Sequence, residues 1–111
     1  MKILISPGWG AGWSTWNSSS VPGMKNYLMT YQPIIDFIES GGDVNDFRNE
    51  NHPILEELKK NIKEKFGSDY VCVLGAHQLI VKNVEPPFRV TEYDGYETVE
   101  WEYGMEWNFT C

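Results

Sequence analysis

The fold is decided by a stretch near the end of the chain, FRVTEYDGYETVEW at residues 88–101. Apolar and polar residues alternate in residues 88–92 and again in residues 96–101, which is typical of strands with one buried face. Asp94-Gly95 lies between these runs, and this dipeptide is among the strongest short signals for a hairpin turn. The stretch therefore predicts an antiparallel hairpin. Its inner face would carry Phe88, Val90 and Val99, and its outer face Arg89, Thr91 and Glu97, with Tyr93 as a further candidate.

Two helices are predicted before the hairpin. Residues 33–40 form the first, because Pro33 suits a first helical turn and Gly41-Gly42 ends it. Residues 53–66 form the clearer one, since apolar residues recur there at helical spacing and Gly67 stops it. Asn51 or His52 can cap its beginning.

Three further stretches predict strands, at residues 2–5, 70–74 and 79–84, because each is a short apolar run next to glycine, proline or polar residues. The order is strand, loop, two helices and then several strands. It predicts a single α+β domain over residues 1–111, with a mostly antiparallel sheet and two helices packed on one face. The last ten or so residues are expected to form a loose tail.

Length and charge restrict the function classes. The chain has 111 residues, enough for one hydrophobic core, and a net charge of −7. Such a negative charge argues against a protein that coats nucleic acid. Neither a membrane-spanning run nor a signal-peptide pattern is present, so no membrane partner and a cytoplasmic location are expected. Cys72 and Cys111 are expected to be free thiols in a reducing compartment.

A loop rich in glycine and tryptophan, SPGWGAGWSTWN at residues 6–17, is the unusual segment. Its glycines let a ligand approach backbone N–H groups, which can form an anion-binding concavity. Its indole rings offer stacking faces worth about 1–3 kcal/mol per base. The pattern predicts a site for a small anionic, nucleotide-like ligand, formed by Pro7, Gly8, Trp9, Gly10, Ala11, Gly12, Trp13, Ser14, Thr15, Trp16 and Asn17. In the alternative interpretation, glycine only makes room for indoles that close the edge of the core.

The acidic residues are unevenly distributed. Residues 1–35 contain two lysines and no acid, whereas residues 85–106 contain seven acids and only Arg89 as a base. The loop is therefore expected to lie away from carboxylates, unless the acidic hairpin folds over it. Lys25 and Arg89 join the predicted ligand-binding residues as sources of positive charge. Arg89 either pairs with Glu97 or Glu100 across the hairpin or clamps a phosphate.

No catalytic set is evident. The two histidines and two cysteines are too far apart in sequence for metal-ligand spacing, and neither paired carboxylates nor a nucleophile–base pair stands out. We therefore expect a protein that is not an enzyme and that has no metal and no cofactor.

The loop at residues 6–17 also carries a resemblance, together with YQPIIDFIE at 31–39, KFG at 65–67, DYVCVLG at 69–75 and EYDG at 92–95. With these segments, the chain up to about residue 100 resembles a family of small uncharacterised proteins of bacteriophages and some bacteria. The resemblance implies a phage setting, and so the host cytoplasm, but no settled activity. By analogy with small phage proteins that sequester cyclic-nucleotide immune signals, such a signal is one candidate ligand.

Two functions follow as predictions. The first is a non-enzymatic module that binds the nucleotide-like ligand. It is expected to be a homo-oligomer, because one small domain encloses little ligand and aromatic residues are enriched at interfaces. The alternative is an acidic protein–protein inhibitor or adaptor, whose contact surface is the stretch 92–106 with Trp101 and Trp107.

Overall fold

The computed structural model describes residues 1–17, 23–85 and 88–101. Its strands are β1 (Lys2–Ile5), β2 (Ile80–Asn83), β3 (Phe88–Tyr93) and β4 (Tyr96–Trp101), and its helices are α1 (Met24–Met29), α2 (Gln32–Glu39) and α3 (Pro53–Phe66). Short 3₁₀ turns lie at Ser14–Asn17, Val44–Arg48 and Ala76–Gln78. The mixture confirms the predicted α+β class. The predicted tail, Cys111 and the acids beyond residue 101 lie outside the described residues.

All strand pairing in the described ranges is antiparallel, as predicted. β1 pairs with β2, with Leu4 opposite Val81, and β3 pairs with β4, with Val90 opposite Val99. The described strands form two separate two-stranded sheets and not the single sheet that was expected.

The prediction of a strand at residues 70–74 is wrong. Val71, Cys72 and Val73 are buried but have no regular structure. The side chain of Asn17 supplies hydrogen bonds that a neighbouring strand would otherwise make. Its Oδ1 accepts from the Cys72 N–H at 2.7 Å, and its Nδ2 donates to the Cys72 carbonyl at 3.0 Å.

The predicted helices are confirmed within one residue at their ends. At the start of α3 the Nδ1 of His52 accepts from the Ile54 N–H at 3.2 Å, so His52 is the cap. Gly67 ends this helix with φ at 69°, a left-handed conformation that glycine adopts readily. Helix α1 was not predicted. None of the helices in the described part of the chain is long and apolar enough to cross a bilayer.

Strand β1 separates two apolar clusters, because successive side chains of a strand point to opposite faces. Leu4 packs in the main cluster with the helices, where Leu28, Ile34, Leu55, Leu58 and Ile62 are fully buried. Ile3 and Ile5 pack on the other side with Met29, Val84 and Val90. The hairpin β3–β4 is therefore packed against β1, and this brings it next to the loop that follows β1.

Candidate functional site

The glycine- and tryptophan-rich loop lies directly against the acidic hairpin. The Gly10 N–H donates to the Asp94 carbonyl at 2.8 Å, and the Glu97 N–H donates to the Ser6 carbonyl at 2.8 Å. At Gly95, where φ is +84°, a Cβ would come within 2.7 Å of the Gly10 carbonyl carbon, so only glycine allows this approach. The expectation that the loop lies away from carboxylates is therefore wrong.

The carboxylate that enters the loop is Glu97, whose side chain is fully buried. Its Oε1 accepts from the Ser6 N–H at 2.8 Å. Its Oε2 accepts from the Trp13 N–H at 2.8 Å, the Thr15 N–H at 3.1 Å and the Thr15 hydroxyl at 2.6 Å. These four donors compensate for the loss of water around a buried charge.

The prediction that Glu97 lies on the outer face of the hairpin is wrong. The register places Glu97 opposite Glu92, two residues before Val99 and on the same face of β4. Strict alternation along β4 would have predicted the inward position of Glu97, because residues two apart on a strand share a face. Gln78 was also missed: its Oε1 accepts from the Ser6 hydroxyl at 2.9 Å and its Nε2 donates to the Trp9 carbonyl at 3.2 Å. No sequence pattern indicated it.

The loop does form a concavity of N–H groups, as its glycines suggested, but the protein's own carboxylate fills it. A ligand phosphate would have to displace Glu97 from the N–H groups of Trp13 and Thr15. The backbone groups predicted to hold a ligand anion therefore already bind a carboxylate of the protein itself.

Several predicted ligand residues are part of the protein interior. Trp13 is fully buried, and its Nε1 donates to the Leu28 carbonyl at 2.9 Å, so this ring closes the core and does not face a ligand. The Ser14 hydroxyl is buried with no hydrogen-bond partner among the described residues. The buried members of the predicted set are Ala11, Gly12, Trp13, Ser14 and Asn17.

Other members of the set form an exposed surface around the hairpin turn. Trp9 is 60% exposed and Tyr93 77% exposed. Their rings meet edge to face with centroids 5.9 Å apart, and Trp9 also packs on Tyr96 at 5.0 Å. Gly10 is exposed, while Pro7, Gly8 and Thr15 are half-buried.

Trp16 extends this surface beside the turn. It is exposed, and its Nε1 donates to a carboxylate oxygen of Glu92 at 3.2 Å. We call the rings of Trp9, Trp16, Tyr93 and Tyr96, with the carboxylates of Glu92 and Asp94, the aromatic tip.

Glu92 is held in its charged form at the aromatic tip. The Gly95 N–H donates to its Oε2 at 2.6 Å, and the Trp16 indole donates to the same oxygen. These two hydrogen bonds, the first being the stronger cause, lower the pKa of Glu92 below its ordinary value.

The lowered pKa of Glu92 predicts a loss of this contact in acid. The hydrogen bonds stabilise the tip above the pKa of an unfolded glutamate, about 4.3, and this contribution is lost as the pH falls through the lower folded pKa. We expect the Trp16 indole N–H resonance to shift over this acidic range in an NMR titration. The Trp13 indole, bonded to a carbonyl, is the internal control, and Glu92→Gln should abolish the Trp16 shift. A Trp16 resonance that shifts equally in Glu92→Gln would contradict the assignment.

The two predicted cations, Lys25 and Arg89, line a different region. Both border a cleft of about 460 Å³ between α1 and the start of β3. Arg89 pairs with Glu100, with Nη2 3.0 Å from Oε2, which confirms the Glu100 version of the predicted cross-hairpin pair. In the described ranges, no group of three or more histidine, cysteine or acidic residues is arranged to hold a metal ion.

No family model, curated protein or solved structure matches the chain. The resemblance to small bacteriophage proteins, and the phage setting that it implies, therefore stay predictions.

Proposed function

We propose that this protein is a non-enzymatic adaptor or inhibitor that binds a basic segment of a partner protein through the aromatic tip. The observation that carries the proposal is the exposure of Trp9 and Tyr93, whose rings lie in contact on the surface of the hairpin turn. Large aromatic rings in such a position are frequent among the residues that dominate binding energy at interfaces.

The chemistry of the tip favours a cationic occupant. Arginine and lysine are attracted to the faces of tryptophan and tyrosine, by about 0.5–1 kcal/mol at exposed sites and more when water is excluded. The Glu92 carboxylate beside Trp16 can add charge-assisted hydrogen bonds, for which the arginine fork is well suited. The net charge of −7 would also speed the approach of a basic partner.

The same carboxylates disfavour an anionic ligand at this surface. A phosphate seated against Trp16 would face Glu92, which stays charged at neutral pH. The adaptor function therefore has more support at the tip than the nucleotide-binding function predicted for the loop.

The test is calorimetric titration with a peptide of alternating arginine and glycine. Trp9→Ala and Tyr93→Ala are each expected to weaken binding by about tenfold, since each removes a stacking face. Tyr70→Ala is the matched control, because Tyr70 is 71% exposed and lies outside the tip.

A second set of titrations tests the contribution of negative charge to peptide binding. Asp94→Asn keeps the side-chain shape, and asparagine tolerates the left-handed φ of 50° found at this position. It should weaken binding several-fold, and high salt should weaken binding of the unaltered protein. Absence of binding at about 1 mM peptide, or equal losses in Tyr70→Ala and Tyr93→Ala, would overturn the proposal.

A further inference from the structure

The cleft lined by Lys25 and Arg89 lies at the end of β3 that is opposite the hairpin turn. Five residue steps of extended strand, about 17 Å, separate Phe88 from Tyr93, so the cleft is distinct from the aromatic tip. Its volume of about 460 Å³ is within the range of pockets that hold small molecules. It is lined by Met1, Lys25, Asn26, Met29, Thr30, Phe88, Arg89 and Val90.

The cleft contains a positive charge, whereas the chain as a whole is negatively charged. In the described ranges its lining residues include Lys25 and Arg89 and no acidic residue, although the chain carries a net charge of −7. Lys25 is half-buried, and within the described ranges no carboxylate lies within ion-pair distance of it. The Arg89 guanidinium is held away from the cleft floor, because its Nη2 lies 3.0 Å from Glu100 on the face of β3 opposite Val90. Lys25 therefore supplies the positive charge in the cleft that a small anion would neutralise.

The floor of the cleft is apolar. Met29 and Val90 are buried members of the second apolar cluster, and the half-buried Phe88 packs against them. A ring placed on this floor would remove apolar surface from water while an attached anion met Lys25. Neither inorganic phosphate nor an uncharged ring alone would use both features.

We propose that the cleft binds a monophosphate ester with a flat ring, its phosphate at Lys25 and its ring over Met29 and Phe88. This chemistry is shared by mononucleotides and by phosphorylated aromatic metabolites. The ligand class agrees with the anionic ligand predicted from the sequence, but the site is the cleft and not the glycine- and tryptophan-rich loop.

Calorimetric titration with four probes tests the ligand class. Adenosine monophosphate, phenyl phosphate or both are expected to bind with a Kd below about 1 mM. Adenosine and inorganic phosphate should each bind at least about tenfold more weakly than the better ester. The ester that binds more tightly identifies the source. Failure of both esters to bind at about 5 mM, or equal binding of inorganic phosphate, would overturn the proposal.

Charge-reversal variants test whether the ester binds in the cleft. Lys25→Glu should weaken ester binding by at least about tenfold, and Lys25→Met, which keeps the apolar stem, by a similar factor. Lys60→Glu is the matched control, because Lys60 is exposed on α3 and outside the cleft. An equal loss in Lys60→Glu would show that only overall charge matters and would overturn the proposal. Trp9→Ala should bind the ester normally, which separates this proposal from that for the aromatic tip, and loss of binding in Trp9→Ala would move the site to the loop.

Discussion

Replacement of Glu97 by alanine is expected to lower the free energy of unfolding by about 3–5 kcal/mol. The reason is that Ser6, Trp13 and Thr15 would keep buried donors with no acceptor, and each such donor costs about 1–3 kcal/mol. Glu97→Gln should cost less, about 2–3 kcal/mol, because an amide keeps one accepting oxygen but turns an NH₂ group towards donors. Urea denaturation followed by circular dichroism measures both losses.

The control for this prediction is on the same strand. Glu100→Gln removes a partly exposed carboxylate that pairs with Arg89, and should cost less than about 1 kcal/mol. Added acetate or formate should restore part of the stability of Glu97→Ala, because the vacated N–H groups can donate to a free carboxylate. Added acetate or formate should not restore the stability of Glu100→Gln. A loss below about 1 kcal/mol in Glu97→Ala would contradict a fully buried carboxylate.

The second large effect is expected at Trp13. Trp13→Ala should cost about 3–5 kcal/mol, because the ring is fully buried and its indole N–H is bonded to the Leu28 carbonyl. Trp9→Ala should cost less than about 1 kcal/mol, because its ring is more than half exposed. Thermal unfolding of the two variants measures the difference.

This pair separates the two roles that the loop tryptophans were predicted to share. If Trp13→Ala remains as stable as Trp9→Ala, the indole of Trp13 is not a core side chain, and the ligand-stacking role predicted from the sequence regains support.

The sequence was most informative where its signals are local. The hairpin and α3 depend on alternation, a turn dipeptide and a helical apolar stripe, all contained in short windows, and the structure confirms their bounds. The run at 70–74 was misassigned because an apolar run indicates burial and not strand pairing. Asn17, 55 residues away, provides the hydrogen bonds that make such a buried irregular segment acceptable.

The candidate site was predicted only in part. Trp9, Trp16 and the turn residues could be found because aromatic residues beside glycine are unusual in a short loop. Their assembly into one surface depends on contacts between residues 6–17 and 92–97, which no local pattern encodes. Charge alone predicts Lys25 and Arg89, and both line a cleft outside the loop.

The dependence of the loop on Glu97 also has a consequence for how the polypeptide is made. The carboxylate and the Ser6 and Trp13 amides that it binds are separated by 91 and 84 residues. During synthesis, the loop is made before Glu97 and cannot acquire this acceptor until β4 has followed. In that interval the N–H groups of Ser6, Trp13 and Thr15 lack the carboxylate, and incompletely folded nascent chains are exposed to aggregation and to chaperones.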